Sequence, residues 1–394
     1  MIKRLKLIVT RAVLTAAIAL SAGCTTDEAV AVAPGNDQTG VRAIGFDYYT
    51  AQAVTRADGA KEVVRAIPSG GTIGVYAYYH QDSRWSAAAK PNFMFNQWAT
   101  NLGDDEGFSY DPLKYWPNSD ADKLSFMAYY PYTDYPSAAP YGDGDPDTPT
   151  GIKPQLAIDD SGLPTFLFTV NSTPAQQVDF LVSDLLPNLP NGTTAVNQSA
   201  SDNREGLTIV DRVRFYFRHA LTKVLVRIIV DPAIEHDVAN LKLNSLSITN
   251  LANKGKLTPD YTPEDGTTFG WSEQAGNENY DVDPAHAYLL MPQTLADASV
   301  LNIDYELTMK SENTVYNYDE KGKAVVTGTY TYRHSTAVRL NTLCPVGSST
   351  PLTTWEPNHQ YFYTIRIGAN RIDFTAEVVE WGDTDSINVN FDVN

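Results

Sequence analysis

Hydrophobic and polar residues alternate along most of this chain in short runs, with a period of two. Ile44, Phe46 and Tyr48 form one such run. Ile73, Val75, Ala77 and Tyr79 form another, as do Leu124, Phe126, Ala128 and Tyr130. Successive side chains of a strand point to opposite faces, so each run predicts a strand with one buried face. A stronger run covers 221–230, where Val224, Val226, Ile228 and Val230 alternate with Lys223, Leu225, Arg227 and Ile229. Asp231-Pro232 ends it. Leu241 and Leu243 then lead to Leu246 and Ile248. The phase slips by one residue around Asn244-Ser245, which predicts a bulge. Leu301, Ile303, Tyr305 and Leu307 continue the theme, followed by Tyr361, Tyr363, Ile365 and Ile367. The last run has Ile387, Val389, Phe391 and Val393 alternating with Asn388, Asn390, Asp392 and Asn394. No window of a dozen residues carries a 3.6 period with caps. The expected class is all-β, and many short strands with turns between them indicate sandwiches.

Between the runs lie polar stretches. Residues 133–164 are rich in Pro, Gly and Asp, and 187–208 in Asn, Ser and Thr. Both read as long surface loops on a β scaffold. The length suffices for two domains. A boundary is expected near 232–240, giving domains at 43–234 and 235–394.

The first residues follow a different rule. Met1 to Lys6 is basic, Leu14 to Leu20 is mostly apolar, and Leu20-Ser21-Ala22-Gly23-Cys24 closes the segment. This is the pattern of a signal peptide over 1–23 ending in a lipobox, with the Cys24 thiol as the lipidation site. A membrane span needs about 20 apolar residues, and Arg11 would fall inside it. Residues 24–42 read as a flexible tether. The leader carries four basic residues and no acids, so its loss takes the formal charge from −18 to about −22. No basic cluster occurs, which argues against a nucleic-acid partner. With Cys24 assigned to lipid, Cys344 has no disulfide partner and reads as a small buried residue.

Catalytic signals are poor. The six histidines (80, 219, 236, 286, 334 and 359) include no H-E-x-x-H pair, and neither a G-x-S-x-G elbow nor a P-loop occurs. His219 opens an apolar strand and reads as a packed structural residue. Asp143, Asp145 and Asp147 invite a calcium loop, but Thr148 and Pro154 stand where Gly and Glu are needed. The chain is expected to have no enzymatic activity, no metal and no cofactor. Tyr76, Tyr78, Tyr79, Trp85, Trp98, Tyr110, Tyr115 and Trp116 crowd one region. Exposed, they would stack on sugars; in a sandwich they serve as packing. A glycan-binding surface lipoprotein is therefore the alternative function.

Several segments together resemble the fimbrillins of Bacteroidales. They are the lipobox, Ile44-Gly-Phe46 leading to Thr55-Arg56-Ala57, and Ile73-Gly-Val-Tyr-Ala-Tyr78. Tyr115-Trp116-Pro117, Leu124 to Pro131 and Phe217 to Val224 follow, then Leu289 to Gln293 and Trp355 to Tyr361. Asp27 and Glu28, just after Cys24, are similar to the surface-export signal of Bacteroidetes lipoproteins. The resemblance implies two tandem transthyretin-like seven-stranded β-sandwich domains. It implies a structural subunit or adhesin of fimbriae, exported as a lipoprotein to the outer-membrane surface. Its partners would be other fimbrial subunits, in a homo- or hetero-polymer, together with host or bacterial surface ligands. Family subunits are cut after an arginine near the N-terminus, and Arg56, Arg42 and Arg65 are the candidates. The cut removes a strand, and a neighbour's strand fills the groove by β-augmentation. Ile387, Val389, Phe391 and Val393 have the form of that donor. They equally have the form of an ordinary last strand.

Overall fold

The period-two runs within 43–381 lie in strands. The computed structural model describes residues 43–55, 61–64, 67–81, 83–103, 106–119, 121–134, 151–190, 212–262, 266–318, 324–369 and 371–381. Among these residues the regular structure is β, interrupted by 3-10 turns at Pro174–Gln176, Glu235–Asp237 and Leu340–Thr342.

Strands are numbered along the chain. The first sheet holds β1 (Gly45–Thr55), β2 (Lys61–Val64), β3 (Thr72–His80), β4 (Met94–Asn101), β5 (Phe108–Ser109) and β6 (Lys123–Tyr130). It also holds β9 (Leu181–Ser183), β10 (Leu186–Pro190) and β11 (Arg212–His219). Its order is β10-β6-β3-β4-β5-β1-β11-β9, with β2 on β1. Because β9 also pairs with β6, the ladder closes on itself. Ile44, Phe46, Ile73, Val75, Phe126, Phe215 and Phe217 fill its interior.

Two further four-stranded sheets carry the second half. One runs β17 (Tyr288–Leu290), β12 (Thr222–Val230), β22 (His359–Ile367), β23 (Ile372–Glu380). The other runs β16 (Glu278–Asp281), β13 (Val238–Leu251), β19 (Val300–Tyr318), β20 (Ala324–Arg339). Val224, Val226, Tyr363 and Ile365 of the first share one core with Ile248, Leu301, Ile303 and Tyr305 of the second. Trp355 lies in this core, and its indole N–H donates to the Tyr363 hydroxyl at 2.8 Å. Trp355 belongs to a two-residue strand β21 (Thr354–Trp355) paired with β18 (Gln293–Thr294). The slip expected at Asn244-Ser245 is present, as a register shift against β19 between Leu243 and Ser245. Thr222–Val230 precedes the expected boundary in sequence, yet it bonds to β17 and β22 of the second half.

A fourth sheet joins segments far apart in sequence. It contains β7 (Ile152–Pro154), β8 (Phe166–Thr169), β14 (Lys254–Thr262) and β15 (Gly266–Ala275), in the order β15-β14-β8-β7. The strands β7 and β8 flank the end of a stretch expected to be loop. They become strands because β14, nearly 90 residues further on, supplies their partner.

This sheet changes the burial of β3 and β6. One buried face was expected of each, and both faces are buried. Val75 and Phe126 face the interior of the first sheet. Tyr76, Tyr78, Met127 and Tyr129 face outward, into the core that continues through Phe166 and Phe168 to the second half. Tyr129 packs at a tilt on Phe166, 5.0 Å between centroids, and its hydroxyl donates to Asn96 Oδ1 at 2.9 Å. Gly74 makes room for that ring: a Cβ there would stand 2.3 Å from it. Cys344, expected to be buried, is half-buried.

Candidate functional site

Sequence reasoning tied β1 to function, and residues 46–50 of it are buried. Its six residues Gly45–Thr50 run parallel to Arg212–Phe217 of β11, in unbroken register. On the opposite flank β2 pairs antiparallel with the end of β1, at Thr50, Val54 and Thr55. There β5 contributes a single pair, Phe46 with Phe108. Further bonds beside Ala43 and Ile44 on that side come from the segment after β5. Tyr115 bridges Ala43, the Ile44 amide donates to the Lys114 carbonyl at 2.9 Å, and the Tyr110 hydroxyl donates to the Ile44 carbonyl at 2.7 Å. Gly107, at φ +76°, sits against the Phe46 carbonyl, where a Cβ would come within 2.4 Å. Thus β1 has neighbours on both sides, whereas a removable strand was expected at an edge. Its hold is six pairs with β11 on one side and, on the other, three pairs with β2, one with β5 and the short seam beside Ala43 and Ile44.

The side chains of β1 explain why this sequence occupies the slot. Ile44, Phe46 and Tyr48 point inward and are buried. The Phe46 ring meets Tyr110, Phe126 and Phe215, with centroids at 5.1, 5.9 and 5.5 Å. Tyr48 meets Phe108 and Phe217, and its hydroxyl donates to the Ile67 carbonyl. Burial of each such side chain contributes roughly 1.5–3 kcal/mol. The other face of β1 is also covered. Asp47 is 1% exposed, and its carboxylate stands 3.4 Å from the guanidinium of Arg214, itself 7% exposed. Tyr49 packs on Tyr216 at 4.9 Å. Two positions further along β11, Arg218 lies over the same Tyr216 ring and pairs with Asp184.

The arginine candidates bracket these strands. Arg42 precedes Ala43, Arg56 follows the last residue of β1, and Arg65 follows the last residue of β2. A cut after Arg42 leaves every paired strand attached. A cut after Arg56 severs β1 alone, and a cut after Arg65 severs β1 and β2. The three arginines, Cys24, the Asp143–Asp147 series and Ile387, Val389, Phe391 and Val393 lie outside the described residues.

The other expected sites disperse. Tyr76, Tyr78, Tyr110 and Trp116 are core residues, while Tyr79 and Trp85 are half-buried. Trp98 and Tyr115 alone of that aromatic set are about half exposed, at 51% and 48%. His219 is buried, stacks on Trp381 at 3.8 Å and holds Asp179 at 2.8 Å through Nδ1, which is a structural arrangement. Among the described residues no group of three or more His, Cys, Asp or Glu gathers into a metal site. What sequence reasoning missed was the Asp47–Arg214 pair. Two charges on neighbouring strands 167 residues apart leave no local signal.

A family model for fimbrillin-like proteins matches residues 55–381. The chain belongs to the fimbrillin-like family. It is 25% identical to the fimbrium subunit Fim1C of Phocaeicola vulgatus, across 94% of this chain and 95% of that protein. Its fold is similar to the crystal structure of a fimbrial protein from Bacteroides vulgatus. That match has a TM-score of 0.53 at 18% identity, covering 86% of this chain and 99% of that one.

Proposed function

We propose that this protein is a structural subunit or adhesin of cell-surface fimbriae, and that β1 is a placeholder strand removed on assembly. The observation that carries this reading is the β1 slot. Ile44, Phe46 and Tyr48 give it an apolar inner face, β5 adds a single pair on the flank it shares with β2, and an arginine directly follows its last strand residue. Loss of β1 exposes six backbone positions of β11 and the aromatic pocket around Phe126 and Phe215. A strand from a neighbouring subunit satisfies both by β-augmentation. Such a contact is heterologous and does not close, so it extends into a filament. Family membership and the Fim1C relative support the fimbrial role. The role is structural, and the partners are other fimbrial subunits. The two tandem β-sandwich units expected from the resemblance belong to this reading.

Among the three arginines the reading selects Arg56, since that cut frees β1 and nothing else. Mass spectrometry of protein extracted from assembled fibres should give a mature N-terminus at Ala57. An N-terminus at Cys24 or Ala43 on fibres would leave β1 in place and overturn the placeholder role.

The same reading places the precursor at the outer membrane through lipid on Cys24. Cys24→Ala should abolish acylation and move the protein out of the membrane fraction or block its export. Unchanged membrane association without lipid incorporation would exclude the anchor.

A further inference from the structure

Among the described residues, β20 is the last strand of its sheet and pairs with β19 alone. It runs for 16 residues, from Ala324 to Arg339. An edge of that length is a template for another strand unless something blocks it. The other edges of the four-stranded sheets are blocked. β7 has three residues and ends on Pro154, β17 has three, and β16 has four, among them Glu278 and Asp281. β15 shifts register and holds Glu273 at φ +52°. β23 carries Asp373, Glu377 and Glu380, and Pro345 bridges it at Ala376. β20 has no proline and no acid, and the extra residues at its register shift belong to β19. Its Arg333 turns back on its own sheet, where the guanidinium donates to the Asp304 carboxylate at 3.2 and 3.0 Å.

The two faces of β20 differ. Thr329, Thr331 and Arg333 share one face and are exposed. Tyr330 and Tyr332 share the other, in register with Met309 and Leu307 of β19, which are buried. The tyrosines remain 44% and 46% exposed, with ring centroids 5.1 Å apart. The apolar face of the sheet therefore runs to its edge and stops at two uncovered rings. We propose that a second copy of this chain covers them, its β20 pairing antiparallel with the first about a two-fold axis at Thr331. That register sets Tyr330 of each copy opposite Tyr332 of the other, and Thr331 opposite Thr331. Aromatic pairs and Thr-Thr pairs are favourable cross-strand neighbours. Arg333 falls opposite Thr329 of the second copy. An axis at Tyr332 keeps a single tyrosine pair, and one at Arg333 sets two arginines face to face. The formal charge of −18 repels copies over most of their surface, and an acid-free edge is where two can meet. The contact is isologous and closes on two copies, unlike the heterologous filament joint. It joins subunits side by side and needs no removal of β1.

The test uses the full chain expressed on cells, with Cys344→Ser in every variant and a short bismaleimide as cross-linker. Single cysteines replace Thr329, Thr331, Arg333, Ser335 or Ala337, all exposed. The dimer band on a denaturing gel should peak at Thr331→Cys. Ala337→Cys should give none, because the axis sets those positions about 40 Å apart in the two copies. Adding Thr329→Arg to Thr331→Cys faces Arg333 of the second copy with a like charge and should cut the band roughly tenfold. Adding Arg333→Glu as well places opposite charges across the axis and should restore it. The band should persist in Arg56→Ala, which blocks the cut that frees β1. A peak at another position, or a band unmoved by Thr329→Arg, would overturn the register. A cross-link only to a protein of different mass, or none at all, would overturn the second copy as the occupant. Loss of the band in Arg56→Ala would make the contact a product of polymerisation and sink the independent pair.

Discussion

Phe46→Ala is expected to destabilise the uncut chain by about 3–5 kcal/mol, the usual range for truncating a buried aromatic. Phe46 is fully buried, and its ring touches Tyr110, Phe126 and Phe215. Those partners are held by three different strands or loops, so the cavity cannot collapse by moving one of them. The loss should appear as a lower urea midpoint with an unchanged slope. After cleavage at Arg56 the prediction reverses. Residue 46 then leaves with the severed segment, and wild-type and Phe46→Ala protein should unfold at the same midpoint. Equal destabilisation before and after the cut would mean that β1 stays in its slot. No destabilisation in the uncut chain would mean that β1 is not packed as described.

Alkali should unfold the protein steeply above pH 10. Burial pushes the phenols of Tyr78, Tyr129 and Tyr363 well above their ordinary value of 10.0. Tyr361 is pushed up to about 12, mainly by burial, with the Glu356 charge adding to it and the Glu356 amide opposing it. In the unfolded chain these groups ionise near pH 10. Between pH 10 and 12 the folded state therefore binds more protons than the unfolded one, and stability falls as pH rises. Below pH 10 the contribution is complete. Tyr361 alone accounts for roughly 2–3 kcal/mol lost by pH 12. The hydroxyl of Tyr78 also donates to the Gly162 carbonyl at 2.8 Å, a bond that ends on ionisation. Circular dichroism at constant ionic strength should show cooperative loss of strand signal across this interval. An unchanged urea midpoint at pH 11.5 would contradict the burial of these rings.

Much of the second half could be read from alternation. The apolar faces of β12, β19 and β22 are the expected ones, down to the slip at Asn244-Ser245. β12 and β19 each have one buried side, so a period of two is a sufficient signal; on β22 Gln360 and Phe362 of the other face are buried too. The first half was less legible where a third layer is added. Tyr76 and Tyr78 alternate with Ile73, Val75 and Ala77, so a strand with one buried face leaves them on the other side, open to either stacking on sugars or packing. They are buried because β8 and β14, distant in sequence, cover them. Phe166 and Phe168 show the same limit from the other side, since four residues between Pro-rich stretches carry too little pattern to mark a strand. Within the candidate site, Ile44, Phe46 and Tyr48 were visible as one face. The charge pair behind them was not, because only the parallel pairing of β1 with β11 brings Asp47 to Arg214.

That parallel pairing also dictates when the chain can finish folding. The partner of Phe46 is Val213, and the residue that flanks it on the other side, Phe108, offers one pair alone. A chain delivered from its N-terminus presents β1 first and β11 some 170 residues later, a contact of high sequence separation. Closing so long a loop costs more entropy than closing a hairpin. β2 can pair early with the end of β1, but until β11 arrives residues 45–49 lack their main partner and the first sheet waits unclosed. The strand that emerges earliest is thus among the last to be locked, and its seam remains the shortest joint in the ring.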